Sequence, residues 1–333
     1  MTVRKPTTLS RRRALTVIAG GAAALWASNG AAALPGLSRR FVWRGTALGA
    51  EAEIILYHRE RAAAEAAVRA AQAEIDRLEA EFSLFRGDSA VCRLNRDGRL
   101  DAPSMDMLRL LDESRRWSAR SGGAFDISVQ PLWRLYAEHF LRRTGAEDPP
   151  PAAVARALAL VDYRKIAVAP DRVTLAPGMA VTFNGIAQGY ITDRVADLLR
   201  DHGWTHVLVG LGEWRALGPR GDSAPWTVGI PAAAASGGPG TIPLIDGALA
   251  TSAGSRLAFD ATGRRQHLLS PATGASPAVY ASITVQASRA TTADALSTAL
   301  YVAPPEAATA LLSRVPGARA WLTLADGRTM QAG

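Results

Sequence analysis

Asp294, Ser297 and Thr298 stand at i, i+3 and i+4 in Thr291-Thr292-Ala293-Asp294-Ala295-Leu296-Ser297-Thr298, a segment that opens a helix. That spacing puts one carboxylate and two hydroxyls on a single helical face. An oxygen set of this kind suits a hard cation such as Mg²⁺, whose remaining positions go to phosphates and water. A capped helix start with a polar face accounts for the same residues equally well, and the residues alone leave both readings open. Thr182-Phe183-Asn184-Gly185-Ile186-Ala187-Gln188-Gly189-Tyr190 reads as a strand-to-helix turn, whose backbone amides can face an anion with help from the helix dipole. Arg120-Ser121-Gly122-Gly123-Ala124-Phe125-Asp126 ends a helix and presents a carboxylate after two glycines. His267 precedes Leu268-Leu269-Ser270-Pro271 and the turn Thr273-Gly274. An imidazole titrating near neutrality suits proton transfer there, although a lone histidine before a turn is structural about as often as catalytic.

Other chemistries are excluded by single residues. Gly210-Leu211-Gly212 follows a strand as a dinucleotide-binding loop would, but Arg215 replaces the third glycine and Glu213-Trp214 would crowd a pyrophosphate. His202 and His206 are four apart, yet Gly203 breaks the helix that would pair them on zinc. Ala250-Thr251-Ser252-Ala253-Gly254 lacks the leading glycine of a nucleophile elbow. The single cysteine, Cys92, permits no internal disulfide and no CxxC motif. No nucleophile and no Ser-His-carboxylate order is evident, so an attacking oxygen has to come from outside.

The elements that must hold these residues are mixed. Leu48 to Leu56 reads as a first strand. From Arg59 to Phe82 the apolar positions Val68, Ala71, Ile75, Leu78 and Phe82 follow one face of an amphipathic helix. A second helix starts near Ser104, an N-cap, and stops before Gly122-Gly123. The stretch 142–153 is a loop into a short helix, and 186–199 is helical. Strands are expected over 206–211, 226–230, 242–245, 282–287 and 320–324, a polar-small loop over 232–240, and a helix over 293–302. No linker divides the chain, and the expectation is one α+β domain over residues 34–333.

Residues 1–33 read instead as an address. Ser10-Arg11-Arg12-Arg13 precedes an apolar run, Leu15 to Ala27, and Ala31-Ala32-Ala33 supplies a small-residue cleavage site. This order is that of a twin-arginine-type export signal, which places the mature protein in the periplasm. The run is too short to cross about 30 Å of hydrocarbon comfortably, and it carries Gly20-Gly21. Formal net charge is +8, but the five basic residues Arg4, Lys5, Arg11, Arg12 and Arg13 all lie in this segment, which has no acidic residue. Without them the balance is +3, an ordinary surface with no nucleic-acid footprint. At 48% hydrophobic and 20% charged, the chain has ample material for a core.

Taken in order, the short motifs resemble the FAD:protein FMN transferase family, also called ApbE. The correspondences are Leu48-Gly49-Ala50, Ser83 to Asn95, Gly122 to Asp126, Gly185 to Tyr190, Thr251-Ser252, His267 to Gly274 and Ala293 to Thr298. The N-G-I-A-Q-G-Y variant and the export signal look most like the NosX-type branch, associated with maturing a flavoprotein of nitrous oxide respiration. The resemblance implies an ApbE-like domain with a mixed, largely antiparallel sheet flanked by helices around an FAD cleft. It implies a reaction in which FAD and Mg²⁺ bind, the FMN half moves to a threonine of a partner protein, and AMP leaves. The partner would be an exported or membrane-bound flavoprotein, of NosR type for that branch. By the same resemblance Gly185, Asp294, Ser297 and Thr298 hold the cation. Leu48, Phe85, Ala124, Phe125, Asp126, Thr182, Gln188 and Leu269 contact the cofactor, and His267 helps deprotonate the acceptor.

The chain departs from the family pattern at four positions. Thr182 stands where aspartate is usual, Gln188 where lysine or glutamate is usual, Ser270 for the aspartate of H-I-I-D-P, and Ser297 where aspartate is frequent. Each change removes a charge from the expected cleft, and fewer carboxylates weaken a cation site. Two other outcomes of the same site therefore stay open: an FAD carrier without transfer, and an FAD pyrophosphatase yielding FMN and AMP.

Overall fold

The chain enters the fold through a hairpin that the sequence half conceals. β1 (Arg39–Ala47) and β2 (Ala50–His58) pair antiparallel from Arg39↔His58 to Ala47↔Ala50. Leu48 and Gly49 make the corner with φ of 48° and 77°, the two positive values of a type I′ turn. The strand expected from Leu48 therefore begins two residues later, and Leu48 sits in the turn. β1 hides from a period-two reading because its neighbours Val42 and Trp43 are both buried, one on each face of the sheet. The computed structural model describes residues 39–142, 147–230, 240–260 and 262–333. The export signal of residues 1–33 lies outside the described residues, as does most of the 232–240 loop.

Helix α1 (Arg61–Phe82) buries the stripe its spacing predicts, with Val68, Ala71, Ile75, Leu78 and Phe82 inside. After α2 (Ala90–Asp97) and the short β3 (Arg99–Asp101), the Ser104 side chain accepts from the Met107 amide at 3.1 Å and starts α3 (Met105–Arg120). Then come α4 (Gln130–Arg142), α5 (Pro151–Leu158), the short strands β4 (Ala167–Ala169) and β5 (Arg172–Thr174), and α6 (Ala187–Asp201). β6 (Val207–Leu211) turns into β7 (Trp214–Leu217), and β8 (Trp226–Gly229) pairs with β9 (Thr241–Leu244). β10 (Ala248–Ala253), β11 (Tyr280–Ala287), α7 (Ala290–Val302), α8 (Pro305–Ser313), β12 (Arg319–Leu324) and β13 (Thr329–Ala332) complete the order.

The main sheet runs β1-β2-β6-β7-β10-β11-β12-β13, antiparallel at every pairing. One face packs under helices, where Ile54, Leu56, Val209 and Ile283 meet Leu78, Trp117, Ile191 and Leu296. The other face carries Val42, Ile55, Leu208 and Ala216 beneath Trp226, Val228 and Ile242 of the β8–β9 ribbon. A third cluster joins α4 and α5 to Phe259 and Leu269. This is the expected α+β architecture. Among the described residues no helix is long and apolar enough to cross a membrane.

Two helices form the frame of the site. A Cβ on Gly189 of α6 would lie 2.3 Å from the Ala290 carbonyl oxygen of α7, so only glycine allows this close a crossing. The helices then clasp each other reciprocally. Asp294 Oδ2 accepts from the Gly189 amide at 3.0 Å. Asp193 of α6 accepts from the Ala290 and Thr291 amides at 2.9 Å each and from Thr291 Oγ1 at 2.7 Å. The start of α7 is thus capped from another helix, which leaves Asp294 out of the capping role.

Candidate active site

A cleft opens where the α3–α4 connection, the 182–188 turn, the β6–β7 corner, the end of β10, the 267–271 segment and α7 converge. Ala124, Phe125, Asp126, Thr182, Gly185, Gln188, His267, Leu269, Asp294 and Thr298 all line it. Ten of the residues singled out by sequence, drawn from four separate stretches of chain, therefore share one wall-to-wall space. Leu48, Phe85 and Ser297 are not on that wall. Leu48 donates its amide to Glu79 Oε1 at 2.5 Å and rests its side chain on the helix-side core. Phe85 is 60% exposed on the connection between α1 and α2. Ser297 is turned toward β10, its hydroxyl 2.8 Å from Ser252 Oγ and donating to the Asp294 carbonyl at 3.0 Å. The i, i+3, i+4 face divides in two: Asp294 and Thr298 look into the cleft, while Ser297 braces it from behind, with Ser252 bridging 3.3 Å to Thr298 Oγ1.

Local bonding decides what each group has left to offer. Both Asp126 oxygens are engaged: Oδ1 accepts from the Ser128 amide at 2.8 Å and from its hydroxyl at 2.6 Å, and Oδ2 accepts from the Tyr163 amide at 3.1 Å. That carboxylate caps the turn at Ile127–Val129 rather than reaching into open space. In the 182–188 turn, the Asn184 amide bonds to Thr182 Oγ1, and the Ile186 and Ala187 amides bond to the Phe183 carbonyl. The Gly185 and Gln188 amides bond to no described residue, which leaves two donors at a helix start for an anion. Gly185 is wedged between Thr298 and Phe125, where a Cβ would approach each within 3.1 to 3.3 Å. The Gln188 amide group lies over Gly212, 2.6 Å from where a Cβ would be.

The electrostatics centre on two carboxyls. Asp294 is pushed up to about 7, first by burial, against the lowering effects of its Gly189 bond and the Arg256 charge. Glu213, at the corner before β7, is raised well above the usual carboxyl range by burial and then by the charge of Asp294. One Glu213 oxygen accepts from the Thr251 amide at 3.1 Å. Two buried carboxyls on one cleft wall, each with its proton affinity raised first by burial, are a place where a cation would be stabilised. His267 is moved the other way, downward, by burial first. Its Nδ1 donates to the Leu257 carbonyl at 3.1 Å, which leaves Nε2 of the neutral ring with its lone pair.

Glu213, Ser252 and Arg256 also line this cleft, and the sequence reading gave none of them a role. Glu213 was noticed only as an obstacle to a dinucleotide loop. Each sits on a turn or strand end with no periodicity to mark it, and Glu213 gains its meaning only from Asp294, far away in sequence. Cys92 stays apart from the cleft, half-buried, its Sγ 3.7 Å from the Ser83 and Leu84 carbonyls. That is packing, as expected.

The chain is similar to several known proteins. The FAD:protein FMN transferase of Treponema pallidum (strain Nichols) is 32% identical over 296 residues, which are 81% of this chain and 80% of that one. The FAD:protein FMN transferase of Haemophilus influenzae is 30% identical over 239 residues, 68% of this chain and 69% of that one. Among solved structures, the apo form of Pseudomonas stutzeri flavinyl transferase ApbE superposes with a TM-score of 0.77 at 27% identity, covering 90% of this chain and 96% of that one. The ApbE protein of Thermotoga maritima gives 0.77 at 26% identity, covering 88% and 97%. The sequence profile of the ApbE family matches residues 48–322, and the chain therefore belongs to the ApbE family.

Proposed function

We propose that the cleft binds FAD with Mg²⁺ and transfers the FMN half to a threonine hydroxyl of an exported or membrane-bound flavoprotein, releasing AMP. The observation that carries this reading is the meeting of Asp294, Glu213, Thr298 and the free Gly185 and Gln188 amides with the His267 imidazole in one cleft. Among the described residues no three of His, Cys, Asp and Glu are grouped to hold a metal by themselves. The donor set still fits a hard cation: Asp294 and Glu213 supply carboxylates, Thr298 a hydroxyl and Gly185 a carbonyl, with substrate phosphates and water completing the shell. Bound there, the ion would neutralise pyrophosphate charge and release the strain of two adjacent buried carboxyls.

The chain's own groups divide the remaining work. The Gly185 and Gln188 amides hold phosphate oxygens at the start of α6. His267 accepts the acceptor hydroxyl's proton at Nε2, with Nδ1 fixed by the Leu257 carbonyl. The acceptor oxygen bonds to the FMN-side phosphorus as the bond from that phosphorus to the bridging oxygen breaks. The acceptor identity fits a threonine carried on a flexible segment of a periplasmic flavoprotein, of the NosR type if the chain belongs to the NosX-type branch. The twin-arginine-like motif at Arg11-Arg12-Arg13 supports export.

Incubation of the mature chain with FAD, Mg²⁺ and candidate exported flavoprotein domains is the test. A domain that gains one FMN mass after denaturation, and loses it when its threonine is changed to valine, is the expected result. Free FMN and AMP without an adduct would make the chain a pyrophosphatase, and intact bound FAD would make it a carrier. For export, replacing Arg11, Arg12 and Arg13 together by lysine should leave the precursor in the cytoplasm. Normal processing of that variant would assign the general secretory route instead.

A further inference from the structure

We propose that Arg256 is the guanidinium that grips the adenylate-side phosphate of FAD and stabilises the AMP leaving group. This assignment rests on the flavin-transfer reading of the cleft. When the bond to the bridging oxygen breaks, its electron pair stays on that oxygen, and the departing AMP phosphate carries one more negative charge. A cation held by Asp294 and Glu213 would offset part of that charge, and a second cationic group beside it would stabilise the rest. Arg256 is the only Lys or Arg that lines the cleft among the described residues. Its one possible cationic companion, His267, has its proton affinity lowered by burial.

Three further observations favour the assignment. First, Arg256 is committed to nothing else. It is exposed, and among the described residues it makes no ion pair with a carboxylate. Second, its charge reaches the chemistry. Arg256 shares the cleft wall with Glu213, Asp294 and His267. Third, the turn that carries it is held rigidly. Arg256 ends the 3-10 turn Gly254–Arg256, and a Cβ at Gly254 would fall 1.0 Å from Gln266 Oε1. That amide is itself fixed, donating to the Pro277 carbonyl at 2.7 Å and accepting from Tyr301 Oη at 3.0 Å. Tyr301 belongs to α7, the helix that presents Asp294 and Thr298. The turn that carries Arg256 and the helix that carries Asp294 are bolted together, so the backbone from which the guanidinium extends keeps a fixed place beside the carboxylate. Arg256 also borders a neighbouring groove lined by Arg44, Glu53, Gly212 and Trp214, which puts it at the mouth of the cleft, where a product departs.

The test is equilibrium binding to the Mg²⁺-free full-length mature chain in EDTA, followed by calorimetry, with FAD and riboflavin as the two probes. Arg256→Gln should weaken FAD binding about tenfold or more, the loss of one charge-assisted contact. It should leave riboflavin, which has no phosphate, within twofold of the wild type. Arg256→Lys should recover part of the FAD affinity, and AMP should inhibit turnover of the Gln variant about tenfold less strongly. Unchanged FAD affinity, or equal losses for FAD and riboflavin, would overturn the assignment while leaving flavin transfer intact. A wild-type chain that binds riboflavin but not FAD would bring down both.

Discussion

At the scale of single residues the site is governed by where charge is tolerated. Unfolded chain ionises Asp294 near 3.8, whereas the folded chain holds the proton until about 7. Between those values the folded state has bound a proton that the unfolded state has released, so stability is full at the acid end and falls as pH rises through the window. Glu213, raised for related reasons, adds in the same direction. Denaturation midpoints in EDTA should therefore drop between about pH 4 and about pH 7, and Asp294→Asn should flatten the slope. A midpoint that rises steadily across that range would show that the carboxyl is ionised in the fold. Asp294→Ala should cost about a hundredfold or more in Mg²⁺-dependent transfer while circular dichroism stays unchanged. His267→Asn should lower kcat by about a hundredfold with little change in FAD affinity, as expected of a group acting in proton transfer. Equal losses in kcat and in affinity would make His267 a binding residue.

At the scale of elements, the reciprocal clasp between α6 and α7 is what sets the cleft's width. Gly189→Ala drives a methyl against the Ala290 carbonyl and the Asp294 side chain, and should cost about 1–3 kcal/mol in urea denaturation along with most of the transfer activity. Asp193→Ala removes three bonds that cap α7 and takes a carboxylate from beside the buried Arg215. A loss of about 3–5 kcal/mol is expected in the same measurement. These two residues also mark the limit of what could be read beforehand. The stripe of α1, the Ser104 cap and the strands over 206–211 and 282–287 were legible because each depends on neighbours in sequence. A cap donated from 97 residues away was not. Nor was β7, whose four residues follow a two-residue corner. The i, i+3, i+4 spacing put Ser297 and Thr298 on one face, and spacing does not tell which of two neighbouring hydroxyls lines the cleft and which faces a strand.

At the scale of the whole molecule, the cleft sits at the seam of the sheet. β7 and β10 register through only Ala248↔Arg215 and Leu249↔Trp214, whereas β1 and β2 pair along nine positions. Glu213 flanks that seam on one side and Thr251 and Ser252 on the other; the Thr251 amide donates across it to Glu213, and Ser252 is tied to Ser297 of α7. The strand order has another outcome, a mechanical one. β1 and β13, the first and last strands among the described residues, are also the two edges of the sheet. A pull on the two ends of the chain therefore does not shear the sheet. It unzips it, loading one ladder at a time from both margins inward, so resistance stays low until the middle is reached. A single-molecule extension trace should show small early ruptures as the edge strands peel away, then a final, larger event when β6, β7 and β10 part under their helices.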